Sequence, residues 1–321
     1  MVYLQGIKNK TLNFLSRKMS GHILLYHACY PEIPEDLSKN LHNVKPDALY
    51  SQLKWYKEHF DMVPLSEWFE SSNRRGLATV TFDDAYSSFY DYGLDILESL
   101  EIPATVFVIG STLNGKVFWR DKIRFVESRD LTKDFVKFLR EENADAGITS
   151  RNFYEYSKKD SFTSVTPNEK LDKLIDRFLD SRRLADKLQN FCADDTDRLS
   201  KHPLLTYGNH TTNHYILHTL EDDDIIMEVK KCDEQLRACP GVDLSKYFSV
   251  PFGGEENLTP ALSKVLIELG YKGILLSTNR INKFGRISNY NGLKVANRYL
   301  MPESKDEMIQ KINHMTYREI R

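Results

Sequence analysis

The sequence predicts an α/β fold in which mostly parallel strands form an open sheet or close into a barrel. The first observation is a series of short apolar runs that read as buried strands. They are "HILLYH" (22–27), "DMVPL" (61–65), "LATVTF" (77–82), "ATVFVIG" (104–110), "LLTYG" (204–208), "YFSVPF" (247–252) and "GILLS" (273–277). The second is that helical patterns fall between most of them, which favours parallel strands joined by crossovers. The third is a gap in that alternation. From residue 120 to 199 the chain is almost entirely helical and polar, with apolar positions at helical spacing flanked by charges. No Gly/Ser-rich linker borders this stretch, so it reads as a helical insertion (120–199) within one domain spanning 1–321.

Each element follows from local pattern. The opening segment places Leu4, Ile7, Leu12, Leu15 and Met19 near one helical face, with Lys8, Lys10, Arg17 and Lys18 interspersed. Such a basic amphipathic helix can lie on an anionic membrane surface; the plainer alternative is a helix packed on its own domain. "DALYSQLKWYKEHF" follows the first strand, "YDYGLDILESL" the third, "DIIMEVKKCDEQLRAC" the fifth, and "TPALSKVLIELG" comes before the seventh. The insertion contributes "DKIRFVESRDLTKDFVKFLREE" and "PNEKLDKLIDRFLDSRRLADKLQNF". The run "EDDD" (221–224) reads as the acidic start of a helix, where carboxylates meet the positive end of the helix dipole.

Composition limits the partners. With 41% hydrophobic and 12% aromatic residues the chain can build a substantial core and is no disordered tract. A net charge of −2, with acids and bases spread evenly, gives no electrostatic case for nucleic acid. The four cysteines show no CxxC spacing, which fits a reducing compartment. Charges recur through the first residues, unlike a signal peptide, and no run approaches the roughly 20 apolar residues of a membrane span. The expectation is a cytoplasmic protein, with peripheral membrane contact through its first helix as a further option.

Chemistry concentrates in two places. Asp83 and Asp84 end the strand "LATVTF", where two adjacent carboxylates repel and lose hydration. Asp84 could simply cap a helix beginning near Ala85. In "TYGNHTTNHYILH" (206–218), His210 and His214 are four apart, and one helical turn would put both imidazoles on one face. His218 continues the spacing, either as a third ligand or as a polar residue further along. Taken together, one carboxylate and two imidazoles make a facial ligand set for a divalent cation. The second carboxylate is then available as general base toward water.

The pattern "TFDD", then "GNHTTNH", then "FSVPFG" resembles the polysaccharide deacetylases, carbohydrate esterase family 4, with matching order and strand context over roughly residues 20 to 300. The resemblance implies a distorted (β/α)7-type barrel. It also implies metal-dependent hydrolysis of the N-acetyl group of an amino sugar to free amine and acetate. It assigns Asp83 as catalytic base, and Asp84, His210 and His214 as metal ligands. Pro251 and Phe252 would line the groove, with the Phe252 backbone N–H helping to stabilise an oxyanion. Asp/His/His ligation suits zinc best, with cobalt, nickel or iron as alternatives.

The sequence departs from the family at three points. The residue after the doublet is Ala85 rather than Gly. The third motif begins with Ser249 rather than the Arg that orients the base; Arg298 in "VANRYLMP" and Arg120 in "VFWRDK" are the candidate replacements. The late histidine that protonates the leaving amine is missing, and His27, at the end of the first strand, is the candidate in its place. Trp119 could stack on a pyranose. The expected substrate is a nucleotide- or lipid-linked glycan precursor. A deformylase, a non-sugar amidase and an inactive glycan-binding relative are the alternatives.

Overall fold

The computed structural model describes residues 19–144, 149, 151, 153, 168–194, 198–199 and 201–320. The basic amphipathic segment read from Leu4 to Met19 lies outside them except for Met19. Strands β1 (Ser20–Tyr26), β2 (Asp61–Met62), β3 (Leu77–Phe82), β4 (Ala104–Val108), β5 (Leu205–Asn209), β6 (Tyr247–Ser249) and β7 (Gly273–Leu276) fall on the apolar runs of the sequence. Four further strands follow: β8 (Asn282–Lys283), β9 (Ser288–Tyr290), β10 (Leu293–Asn297) and β11 (Tyr299–Leu300). β1 is buried along its whole length, as expected of a parallel strand covered on both faces. "DMVPL" is cut short because Pro64, without an N–H and with φ of −57°, stands at the start of a helix.

The strands form two sheets. In one, β11, β1, β3, β4 and β5 are parallel neighbours, with β2 beside β3 and β8 antiparallel on β1. In the other, β6, β7 and β10 are parallel and β9 is antiparallel on β10. The sheets join through one stretch of chain. Residues 293–297 pair with β7, residues 299–300 pair with β1, and Arg298 stands between the two ladders. On the opposite side the β5–β6 seam is held by the Tyr207–Leu244 bridge, with Tyr207 N–H donating to Asp243 (2.8 Å) and Ser245 N–H to Tyr207 (2.7 Å). The result is a distorted, mostly parallel α/β barrel.

Helices α1 (Pro46–His59), α2 (Leu65–Glu70) and α3 (Leu94–Leu100) pack outside it. α4 (Trp119–Ser128), α5 (Thr132–Glu141) and α6 (Asn168–Ser181) come between β4 and β5. α7 (Asp222–Ala238), α8 (Pro260–Glu268) and α9 (Lys305–Ile320) complete the wall, and "EDDD" supplies the first turn of α7. Ile123, Phe135, Ile175 and Phe178 of α4–α6 share a core with Tyr86, Ile109 and Tyr215, which follow β3, β4 and β5. Those helices therefore sit over the C-terminal strand ends, where α/β folds gather their chemistry. No described helix is long and apolar enough to cross a membrane.

Candidate metal and acid–base site

β3 delivers the acidic doublet to the barrel mouth. Asp83 N–H still donates to Tyr26 (2.9 Å), extending the ladder, but the chain then turns through two left-handed residues, Asp84 (φ 69°) and Ala85 (φ 53°). That turn gives the two carboxylates different partners, and the expected helix cap does not form. Ala85 sits in a conformation that favours glycine, and its methyl is packed in the core, not beside the cavity.

Asp83 meets Arg298, which is fully buried. Nη1 donates to Oδ1 and Nη2 to Oδ2, both at 2.7 Å, a bidentate pair. Nη2 also donates to Ser249 (2.7 Å) and Ser277 (3.0 Å), and Ser249 Oγ donates to Asp83 Oδ2 (3.2 Å). Ser249 therefore stands where the resemblance places an arginine, and is bonded to Arg298, which reaches Asp83 from a different strand. Gly253 permits this: a Cβ there would lie 2.3 Å from the Ser277 N, whose N–H donates to the Gly253 carbonyl. Burial alone would raise the Asp83 carboxyl, but Arg298, His210 and His27 together outweigh it and hold the group below the usual carboxylate range. Of the two arginines considered, Arg120 lines the cavity with its guanidinium over the Trp119 ring and is not the partner of Asp83.

Asp84 meets the histidines. His210 Nε2 and His214 Nε2 each lie 3.6 Å from Asp84 Oδ1. This buried oxygen has no hydrogen-bond partner among the described residues. The donor atoms lie within 4.8 Å of one another. A tetrahedral centre with ~2.1 Å bonds separates its ligand atoms by about 3.4 Å, so the cluster fits a zinc-sized cation. His210 Nδ1 is 2.8 Å from the Ser249 carbonyl, which can only accept; the ring proton is therefore on Nδ1 and the Nε2 lone pair faces the cluster. Burial lowers both histidines, leaving neutral imidazoles. Burial, and then the charge of Asp83, pushes Asp84 well above the usual carboxylate range, a penalty that a bound cation would remove.

The His210–His214 segment is not helical, contrary to the spacing argument. It is a loop with Thr211 (φ 64°) and His214 (φ 57°) left-handed. Asn209 Oδ1 accepts from Thr211 N–H (2.8 Å), and Thr211 Oγ1 accepts from His214 N–H (2.9 Å). Glu228 of α7 accepts from the N–H (2.7 Å) and side-chain amide (2.6 Å) of Asn213. His218 leaves the cluster for Asn257, so it is not a third ligand.

The remaining candidates divide. A cavity of about 370 Å³ is lined by Asp83, Asp84, His27, Arg120 and Phe252 among others. Pro251 is buried and outside that lining. Trp119 is 2% exposed and offers no face to a sugar; its indole N–H instead donates to the His214 carbonyl (3.2 Å). It braces the ligand loop from α4. Sequence reasoning missed Ser277, Glu228 and His42, whose ring contacts His27 (3.1 Å). Ser277 and His42 lie in loops, and Glu228 reaches from α7 to the His210–His214 loop; such contacts leave no periodic trace.

The polysaccharide deacetylase family model matches residues 70–274. Solved structures with the same fold include a deacetylase of Streptococcus pyogenes, PplD, in complex with acetate (18% identity, 91% of this chain and 98% of that one, TM-score 0.52). IcaB from Ammonifex degensii is similar at 14% identity (93% and 97%, TM-score 0.51). So is BC0361, a polysaccharide deacetylase from Bacillus cereus, at 14% (91% and 69%, TM-score 0.53). No curated protein sequence matches the chain.

Proposed function

The chain belongs to the polysaccharide deacetylase family, and on that premise we propose that it hydrolyses the N-acetyl amide of an amino sugar with a divalent cation held by Asp84, His210 and His214. When bound, the cation supplies Lewis acidity toward the amide carbonyl and lowers the pKa of the attacking water. The observation that carries the reading is the pairing of Asp83 with Arg298 directly beside the ligand cluster. The guanidinium keeps Asp83 ionised and fixes its plane, so that it takes the proton of the attacking water. The Phe252 N–H is the proposed donor to the oxyanion, and His27 the proposed acid toward the departing amine. The inactive alternative rests on the missing arginine and the missing late histidine, and the Asp83–Arg298 pair weakens the first of these.

The donor set favours zinc over cobalt, nickel or iron. Arg120 and Arg124 line the cavity, which suits a phosphate-bearing substrate such as a nucleotide- or lipid-linked glycan precursor. A lipid-linked substrate would bring the chain to the cytoplasmic face of a membrane, where the basic segment 4–19 could make contact. Residues 120–199, as an insertion into a single domain, would shape acceptor choice.

The test is zinc titration together with acetate release from N-acetyl sugars. We expect one zinc per chain and a loss of affinity in His214→Ala beyond the 10–100-fold typical of outer partners. Unchanged zinc binding in that variant would overturn the site. Stoichiometric zinc without acetate release from any such sugar would overturn the reaction.

A further inference from the structure

His27 does not stand alone. Its Nδ1 lies 3.1 Å from Nδ1 of His42, and His42 Nε2 lies 2.6 Å from the carbonyl of Met301. A carbonyl only accepts, so His42 carries its proton on Nε2. Its Nδ1 is then a lone pair, and the contact with His27 requires the proton to be on His27 Nδ1. The remaining nitrogen, His27 Nε2, is the one left to act in the cavity that His27 shares with Asp83, Asp84 and His210. Burial, and then His42, lowers His27 well below the usual imidazole range, so it rests neutral with Nδ1–H directed at His42 and Nε2 bare. Burial lowers His42 to about 4, which keeps it the neutral acceptor near pH 7.

The backbone fixes all three groups against the end of β1. Ala28 N–H donates to His42 (3.2 Å) and Val44 N–H to Ala28 (3.1 Å), while Asn43 is bonded to Tyr30 in both directions (2.7 and 3.0 Å). Met301 N–H donates to Leu25 (2.9 Å). The histidine pair is thus built on the same strand end from two distant segments.

We propose that His42 is a positioning residue: anchored on the Met301 carbonyl, it sets the tautomer and ring plane of His27, so that His27 Nε2 is the atom that protonates the departing amine. This rests on the deacetylase reading above. In the step, Asp83 takes the proton of the attacking water and passes it to the bare Nε2 of neutral His27; the acyl C–N bond then breaks, its electron pair passes to nitrogen together with that proton, and the water oxygen stays on the acyl carbon. The products are free amine and acetic acid, and Asp83 and His27 return to the protonation states in which they began.

Two measurements test it. Long-range 1H–15N spectra of the histidine rings, assigned with His27→Gln and His42→Gln, should show His27 as the Nδ1–H and His42 as the Nε2–H tautomer near pH 7. They should also show loss of the His27 preference in His42→Leu. The second compares acetate release from an N-acetylglucosamine oligomer and from an aryl acetate, whose phenolate leaves without a proton. His42→Leu should lose about 10-fold to 100-fold in kcat on the amide, within the range of acid catalysis, and little on the ester, with zinc affinity and KM unchanged. His42→Gln should stay within about threefold, because its amide can accept from His27 and donate to Met301. An Nε2–H tautomer for His27, or equal loss on amide and ester, overturns the proposal. Hydrolysis of neither substrate by the wild type overturns the deacetylase reading instead, and the tautomers still decide the role of His42.

Discussion

The proposed cation cradle and the groups around the proposed base are built in opposite ways. Asp84, His210 and His214 come from the ends of β3 and β5, and each contributing loop is a short contiguous motif. The support of Asp83 is gathered from Arg298, Ser249 and Ser277, which lie at the ends of three other strands. The difference teaches that a ligand set is fixed by local spacing, whereas an orienting charge needs only to arrive with the right geometry. The same bidentate guanidinium contact can therefore be supplied from a different strand.

Breaking each half separates them. The largest effect is expected for Asp83→Asn: a loss of about 10³-fold in kcat, with zinc affinity kept, measured by acetate release and metal titration. Next comes Arg298→Met, which leaves a buried carboxylate uncompensated and should cost about 3–5 kcal/mol of unfolding free energy by denaturant titration. The Asp83→Asn/Arg298→Met double variant should cost less than the sum of the two single changes. On the cradle side the sign reverses. Burial and Asp83 make an ionised Asp84 unfavourable on its own, so zinc at 100 times its Kd should stabilise the fold by about 2.7 kcal/mol. His214→Ala should abolish that shift in Tm. The smallest effect belongs to the turn between the halves. Ala85→Gly relieves a left-handed alanine (φ 53°) but removes a buried methyl; the two terms are each about 1 kcal/mol, so stability should change by less than that.

The barrel strands were legible because a buried parallel strand must be a continuous apolar run, and "LATVTF" became β3 residue for residue. The residues of the proposed ligand set were legible as types and spacing. Their conformation was not: four-residue spacing implies a helix, while the left-handed turns at Thr211 and His214 involve no glycine that would announce them. Arg298 could be named only as one of two candidates, since nothing local distinguishes an arginine that will meet a carboxylate from one that will not. Trp119 was misread because aromatic character says nothing about exposure; its indole braces the His214 carbonyl from inside. His42 left no signal, because its importance lies in a carbonyl contact to Met301, which is 259 residues away.

The break between β10 and β11 has a consequence for how the molecule acquires activity. Arg298 occupies the one position where the last stretch of sheet passes from β7 to β1, and its carboxylate partner lies 215 residues earlier in the chain. During synthesis, Asp84, His210 and His214 emerge before the guanidinium that pairs with Asp83. Contacts of such sequence separation form late. Docking of β11 beside β1 closes the barrel and brings Arg298 onto Asp83 in a single event.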